Sequence, residues 1–252
     1  MRFILFLCAI TLIGVGNATQ ASTVVVSGDS NFLIATDPAN GNFNADNQTF
    51  LRNVLGAGTN VFIGNENLGG GVQANDYFNS LAGVTSTFSF GDTVITSSLL
   101  ANVDLYVQLG ATNDFLASER SAMSNFLSGG GTLFVIGDYN GAFSINNSYQ
   151  NTLLSNLGSS IQIDGTIFDF AYQTTDNVAS DPLTAGVSTL TYAGPGLVTG
   201  GTALFQGRDG ASTQQTFIAY ENDVTPPVPL PASALLLLGG LAGLGVMRRK
   251  RG

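Results

Sequence analysis

Histidine and tryptophan are absent from the 252 residues, the one cysteine is Cys8 and the one lysine is Lys250. Residues 22–225 therefore contain no histidine, lysine or cysteine. That excludes Cys-His and Ser-His-Asp nucleophilic catalysis, histidine zinc sites, lysine Schiff-base chemistry and a disulfide scaffold. Carboxylate-only mechanisms and oxygen-ligated calcium survive the exclusion. Basic residues are scarce as well: this stretch has only Arg52, Arg120 and Arg208 against all 17 acids, a formal charge of about −14. Such a surface repels nucleic acid and anionic lipid and attracts cations, so no nucleic-acid partner is expected. Its roughly 200 residues suffice for one sizeable hydrophobic core.

What is present is most specific at the two ends. Met1 to Ala21 has a positive residue, Arg2, then the apolar run Phe3 to Val15, then small and polar residues up to Ala21. This is the pattern of a secretory signal peptide, and it predicts an N-terminal signal helix. The last residues, Val228 to Gly252, read VPLPASALLLLGGLAGLGVMRRKRG. Pro231 to Met247 spans 17 residues without a charge, about 25 Å as a helix against a bilayer core of about 30 Å. The span is just long enough for a C-terminal transmembrane helix. Arg248, Arg249, Lys250 and Arg251 follow it and would hold that end in the cytoplasm, leaving the rest of the chain outside.

The order of Val228, Pro229, Leu230, Pro231 and Ala232, an apolar run and a basic terminus resembles the VPLPA variant of the PEP-CTERM sorting signal. That resemblance implies an exported protein handed by the secretion machinery to an exosortase-type membrane protease. It also implies a single-pass inner-membrane intermediate, a final place at the cell surface or outside it, and an association with exopolysaccharide. The chain then divides into a signal peptide (1–21), an exported domain (22–225) and a sorting tail (226–252).

Within the exported domain, strand patterns at Thr23–Val26, Asn60–Ile63, Val84–Phe90 (weakly alternating), Val103–Leu109 and Thr132–Ile136 alternate with helical patterns. The helices are predicted over 47–55, 72–81, from Ser118 to the Gly129-Gly130-Gly131 stop, and over 148–157. This alternation predicts an α/β fold, a mostly parallel sheet flanked by helices. Beyond Thr166 the short strands Ser188–Tyr192, Ala203–Phe205 and Thr216–Tyr220 are expected to add antiparallel to the sheet edge, and Ile161–Ile163 forms another short strand.

The run from Asp104 to Leu157, with SGGGTLFVIGDYNGAF at its centre, together with DPLTAGVSTL at 181–190, resembles the class I glutamine amidotransferase-like fold. The resemblance implies a flavodoxin-like sheet. Tyr139 stands where that family's cysteine nucleophile would be, so the family's chemistry is not expected here. Gly28-Asp29-Ser30 with Gly110 and Asn113-Asp114 resembles two blocks of the GDSL/SGNH hydrolases, which would make Ser30 a nucleophile and Gly110 and Asn113 oxyanion donors. The family's histidine base is missing.

Parallel strands would also bring Asp29, Ser30, Asn113, Asp114, Asp138 and Asn140 to their carboxyl ends, where ligands of open α/β sheets bind. Such a crevice could hold calcium or the hydroxyls of a sugar; the plain reading is a rim of turn-forming residues. Asp37, Asn40, Asn42, Asn44 and Asp46 form a second, looser set of oxygen ligands for calcium, without the EF-hand spacing. A glycosidase pair, two carboxyls about 5 to 9 Å apart, cannot be assigned among 17 acids. The expectation is thus an exported, non-catalytic surface or matrix protein, with a carbohydrate-binding or carbohydrate-active domain as the alternative.

Overall fold

The computed structural model describes residues 22–36, 43–65, 67–165, 170–208 and 214–224. The leader, the sorting motif Val228–Ala232, the apolar span, the basic terminus and the calcium candidates Asp37, Asn40 and Asn42 lie outside the described residues. No helix among the described residues is long and apolar enough to cross a membrane.

Strands and helices alternate as the periodicity predicts. β1 (Thr23–Ser27), α1 (Ala45–Leu55), β2 (Asn60–Asn65), α2 (Gly71–Ser80) and β3 (Thr85–Phe90) come first. The single-turn α3 (Ser97–Leu100), β4 (Leu105–Leu109), α4 (Ala117–Ser128), β5 (Thr132–Ile136) and α5 (Asn140–Asn156) follow. Five strands run parallel in the order β1-β5-β4-β2-β3. After the short β6 (Gln162–Ile163), β7 (Tyr172–Thr175), β8 (Leu190–Ala193) and β9 (Val198–Thr199), the chain forms β10 (Thr202–Arg208) and β11 (Gln214–Asn222). β11 pairs antiparallel with β1, and β10 lies antiparallel outside β11, completing seven strands.

Both faces of the sheet are covered. β4 is buried at all five positions and β1 and β5 at four of five, as expected where helices pack on each side. Alternation along the strands divides their side chains between two cores. On one face Val25, Ile63, Val107 and Phe134 meet Phe50, Leu51 and Val54 of α1 and Phe78 of α2. On the other, Val24, Val26, Tyr106 and Val135 meet Met123, Phe126 and Leu127 of α4 and Leu153 and Leu154 of α5.

Several details differ from the sequence reading. The parallel strands, numbered along the chain, stand in the order 3-2-4-5-1, not the flavodoxin-like 2-1-3-4-5. β2 to β5 reproduce the first four places of that order, and β1 takes the fifth. The expected edge strand at 188–192 is β8, which pairs instead with β7 in a separate two-stranded sheet, and β6 pairs with β9. Only β10 and β11 extend the main sheet antiparallel. Period-two patterning reports burial, not the identity of the neighbouring strand, so it could not separate these cases.

Helix α5 begins two turns earlier than predicted, with non-helical angles at Phe143 (φ −119°, ψ 19°) where its first turn joins the rest. Gly141, Asn140 and Ser144 are poor helix formers. The first of these turns is held by a tertiary hydrogen bond, Asn140 N–H donating to the Gly165 carbonyl at 2.7 Å, and by a local ring contact, Tyr139 packing edge-on against Phe143 at 5.8 Å.

Phe50 sits at the centre of the first core, fully buried, with ring centroids 4.9 Å from Phe205, 6.0 Å from Phe134 and 6.2 Å from Phe32. Phe50→Ala is expected to cost about 3–5 kcal/mol, measured by chemical denaturation. A loss below about 1 kcal/mol would contradict this packing.

Candidate functional site

The helix that follows β1 packs on one face of the sheet, and the helix that follows the adjacent β5 packs on the other. The loops Gly28–Asn31 and Gly137–Asn140 therefore diverge at the carboxyl ends of β1 and β5, which makes this a topological switch point. Three of the six crevice residues expected from sequence meet there. Ser30 Oγ donates to Asp138 Oδ2 at 2.6 Å across 108 residues of sequence. Asp29 lies near enough to Asp138 that the two carboxyls would repel if both were ionised.

The hydrogen-bond partners of these two carboxyls are neutral. Asp29 accepts from the backbone N–H of Asn31 at 2.9 Å and of Ala193 at 3.2 Å. Asp138 accepts from Ser30 and, at 2.8 Å, from the Tyr139 N–H. Burial, and next the nearby charge of Asp138, push Asp29 up to about 8 despite its two N–H donors. Burial also raises Asp138, against the opposing pull of the Ser30 and Tyr139 hydrogen bonds. With its value at about 8, Asp29 holds a proton at neutral pH.

The crevice is closed by the protein's own chain. Asp29, Ser30 and Asp138 are 0%, 4% and 3% exposed. The segment between β8 and β9 passes over them: Gly196 N–H donates to the Gly28 carbonyl at 2.6 Å, and Asn31 Nδ2 donates to the Ala193 carbonyl at 2.7 Å. A Cβ on Gly28 would lie 2.3 Å from the Gly196 carbonyl oxygen, so only glycine permits this approach. Ser30 thus has a carboxylate acceptor but no open space in front of it, and the arrangement acts as a clamp joining β1, β5 and the end of β8.

The other crevice candidates go elsewhere. β4 lies two strands from β1, roughly 10 Å away, so Gly110 and Asn113 do not form an oxyanion hole around Ser30. Asn113 donates to Asp92 at 2.8 Å, and Asp114 faces Arg120 at 3.9 Å on the surface. Asn140 donates to the Asp164 carbonyl at 2.7 Å, and its own amide oxygen accepts from Asn147 at 3.1 Å. Tyr139 occupies the turn between β5 and α5 in an unstrained extended conformation (φ −63°, ψ 148°), unlike the strained elbow of a nucleophile.

Of the looser calcium set, Asn44 caps α1 by accepting from Asp46 N–H at 3.0 Å and Asn47 N–H at 3.2 Å. Asp46 accepts from the Ser188 and Thr189 N–H groups at 3.1 and 2.8 Å. Both side chains serve the backbone. Among the described residues no group of three or more His, Cys, Asp or Glu is placed to hold a metal ion.

Sequence reasoning missed the residues that close the site. Ala193 and Gly196 act through their backbones, and Asn147 is a buried helix residue whose amide donates to the Asp138 carbonyl at 2.5 Å. Gly194-Pro195-Gly196 marks a tight turn in sequence, but nothing local shows which strand end it covers.

No protein-family model matches the chain, and no curated protein matches it. Four chains of solved structures match. One is described as the mmIFT52 N-terminal domain, 17% identical over 63% of this chain and 77% of that one, with a TM-score of 0.47.

The proton on Asp29 makes stability depend on pH. Between about pH 4 and 8 the folded protein keeps a proton that the unfolded chain, with its ordinary aspartate, has released. The associated stability is complete below about pH 4 and is lost as pH rises to about 8. Asp29→Asn gives up one backbone acceptor but cannot ionise. Its melting temperature is expected to fall less between pH 5 and 8.5 than that of wild type, with exposed Asp176→Asn as the control; parallel slopes would refute the protonated state. Gly28→Ala is expected to cost roughly 1–3 kcal/mol or more from the clash with Gly196, read as a lowered denaturation midpoint, and a neutral result would show that the loop has room to move.

Proposed function

We propose that the protein is an exported surface or matrix component, sorted and processed by an exosortase, whose α/β domain is non-catalytic. The place of action follows from the ends of the chain: an apolar leader, then VPLPA, 17 uncharged residues and four basic ones in that order. One structural observation carries the non-catalytic half. The switch-point crevice, where an enzyme on this sheet would work, is closed over Asp29, Ser30 and Asp138, and histidine and lysine, the usual activators of a serine nucleophile, are absent from residues 22–225.

The same closure weighs against the alternative in which the acidic crevice binds or cleaves a carbohydrate. Glu119 and Glu221, two further acids, are engaged elsewhere: Glu119 accepts from the Ile95 and Leu116 N–H groups, and Glu221 from Ser159 and Ser160. The domain is proposed to be a variant of the amidotransferase-like sheet that keeps the strand, glycine turn and helix around Tyr139 without a nucleophile.

In a Gram-negative host with an exosortase, full-length protein tagged at the carboxyl end should lose the tag and appear in the surface or extracellular fraction. The Pro229→Ala, Pro231→Ala double variant should keep the tag in the inner membrane. Equal processing of both, or a tagged soluble protein in the cytosol, would overturn the reading.

A further inference from the structure

Helix α5 is unusual among the longer helices in carrying no charged residue. Its 17 residues include five Asn, three Ser and one Thr. α1 carries Asp46 and Arg52, α2 carries Asp76, and α4 carries Glu119 and Arg120. An exposed helix face is ordinarily furnished with Glu, Lys and Ala, all better helix formers than Asn, Ser or Thr. Here the exposed positions Asn140, Ser144, Ser148, Thr152, Ser155 and Asn156 recur at helical spacing along one stripe.

That stripe is one wall of a groove of about 610 Å³. The opposite wall is β6 with the residue after it, fixed to the helix by a two-way bond: Asn151 donates to the Ile163 carbonyl at 3.0 Å and accepts from its N–H at 2.7 Å. Of the described residues that line the groove, only Asp164 is charged. Among the described residues lining it the one apolar side chain, Ile163, is 2% exposed, so along its length the groove presents polar groups. No cation among the described residues lines it to pair with an anionic polymer, and the acidic domain around it would repel one. Asn140, Asn151 and Asn156 spend amide N–H groups inside the protein, but the exposed hydroxyls of Ser144 and Ser148 on the same wall can each donate and accept, which matches a ligand that also presents a donor and an acceptor at every hydroxyl.

We propose that the groove between α5 and β6 binds an uncharged, hydroxyl-rich polymer, a neutral glycan chain. The helix covers roughly 25 Å, so the groove suits an extended segment of chain better than a single sugar. At one end stand Tyr139 and the exposed Phe170, 5.2 Å apart edge to face, next to Asn140. The inference rests on the reading of the protein as an exported surface component and adds a ligand class and a site distinct from the closed crevice.

The test is native affinity electrophoresis of the full-length chain in detergent micelles, through gels containing dextran, mannan or galactan, with dextran sulfate as the anionic comparison. At least one neutral polymer should retard the wild type. Ser148→Arg and Ser155→Arg, both at exposed positions, should each raise the apparent dissociation constant at least tenfold while leaving the melting temperature near that of wild type. Ser121→Arg on α4 should bind as wild type does. The inference is overturned if none of the three neutral polymers retards the wild type, if the groove variants are retarded equally, or if dextran sulfate alone binds. Normal release of the tail without glycan binding would sink the groove and leave the sorting proposal standing; glycan binding with the tail unprocessed would do the reverse.

Discussion

A carboxylate taken out of water must be met by donors or must keep its proton, and Asp29 does both. Its two oxygens hold the Asn31 and Ala193 N–H groups, while burial and the neighbouring Asp138 keep it protonated at neutral pH. Through these contacts the loop after β1 is tied to the end of β8, and through Ser30 to the loop after β5. The close approach of Gly28 and Gly196 completes the closure. These contacts cover the crevice at the switch point between β1 and β5. The same cluster that looks catalytic in sequence is therefore what keeps the domain shut.

The rest of the domain divides its work between two cores on opposite sides of the sheet. Phe50, Phe134 and Phe205 dominate one, and Met123, Leu133 and Leu153 belong to the other. Polar side chains then finish what hydrophobic burial leaves open. Asn47, fully buried, donates to the carbonyls of Phe32 and Thr191 at 2.8 Å each and accepts from Thr191 N–H at 3.0 Å. Gln150, also fully buried, donates to the Ile136 carbonyl at 2.9 Å. Such amides satisfy backbone groups that a sheet with irregular connections cannot pair internally. With few charged residues on the domain, amide and hydroxyl side chains carry much of its internal wiring and also furnish the outer face of α5.

The parts legible in sequence were those governed by local periodicity. β1, β2, β4 and β5 appear as apolar runs, and α1, α2 and α4 were placed to within two residues at their starts. Asp29, Ser30 and Asp138 share one end of the sheet, as residues that follow adjacent parallel strands must. Asn113 and Asp114 satisfied the same rule but belong to a strand two places away. The antiparallel edge was right for β10 and β11 and wrong for β8, since a short strand bounded by glycine and proline shows no preference for one partner.

Composition alone determined the excluded chemistries, because a residue type that is missing cannot act in any fold. Periodicity alone determined the α/β class, because burial on two faces leaves its mark on each strand and helix separately. Strand order, the closing of the crevice and the long polar groove were decided only by tertiary structure. Each depends on backbone groups of residues such as Ala193, Gly196 and Gly165, whose N–H and C=O are the same in every sequence and whose partners lie far along the chain.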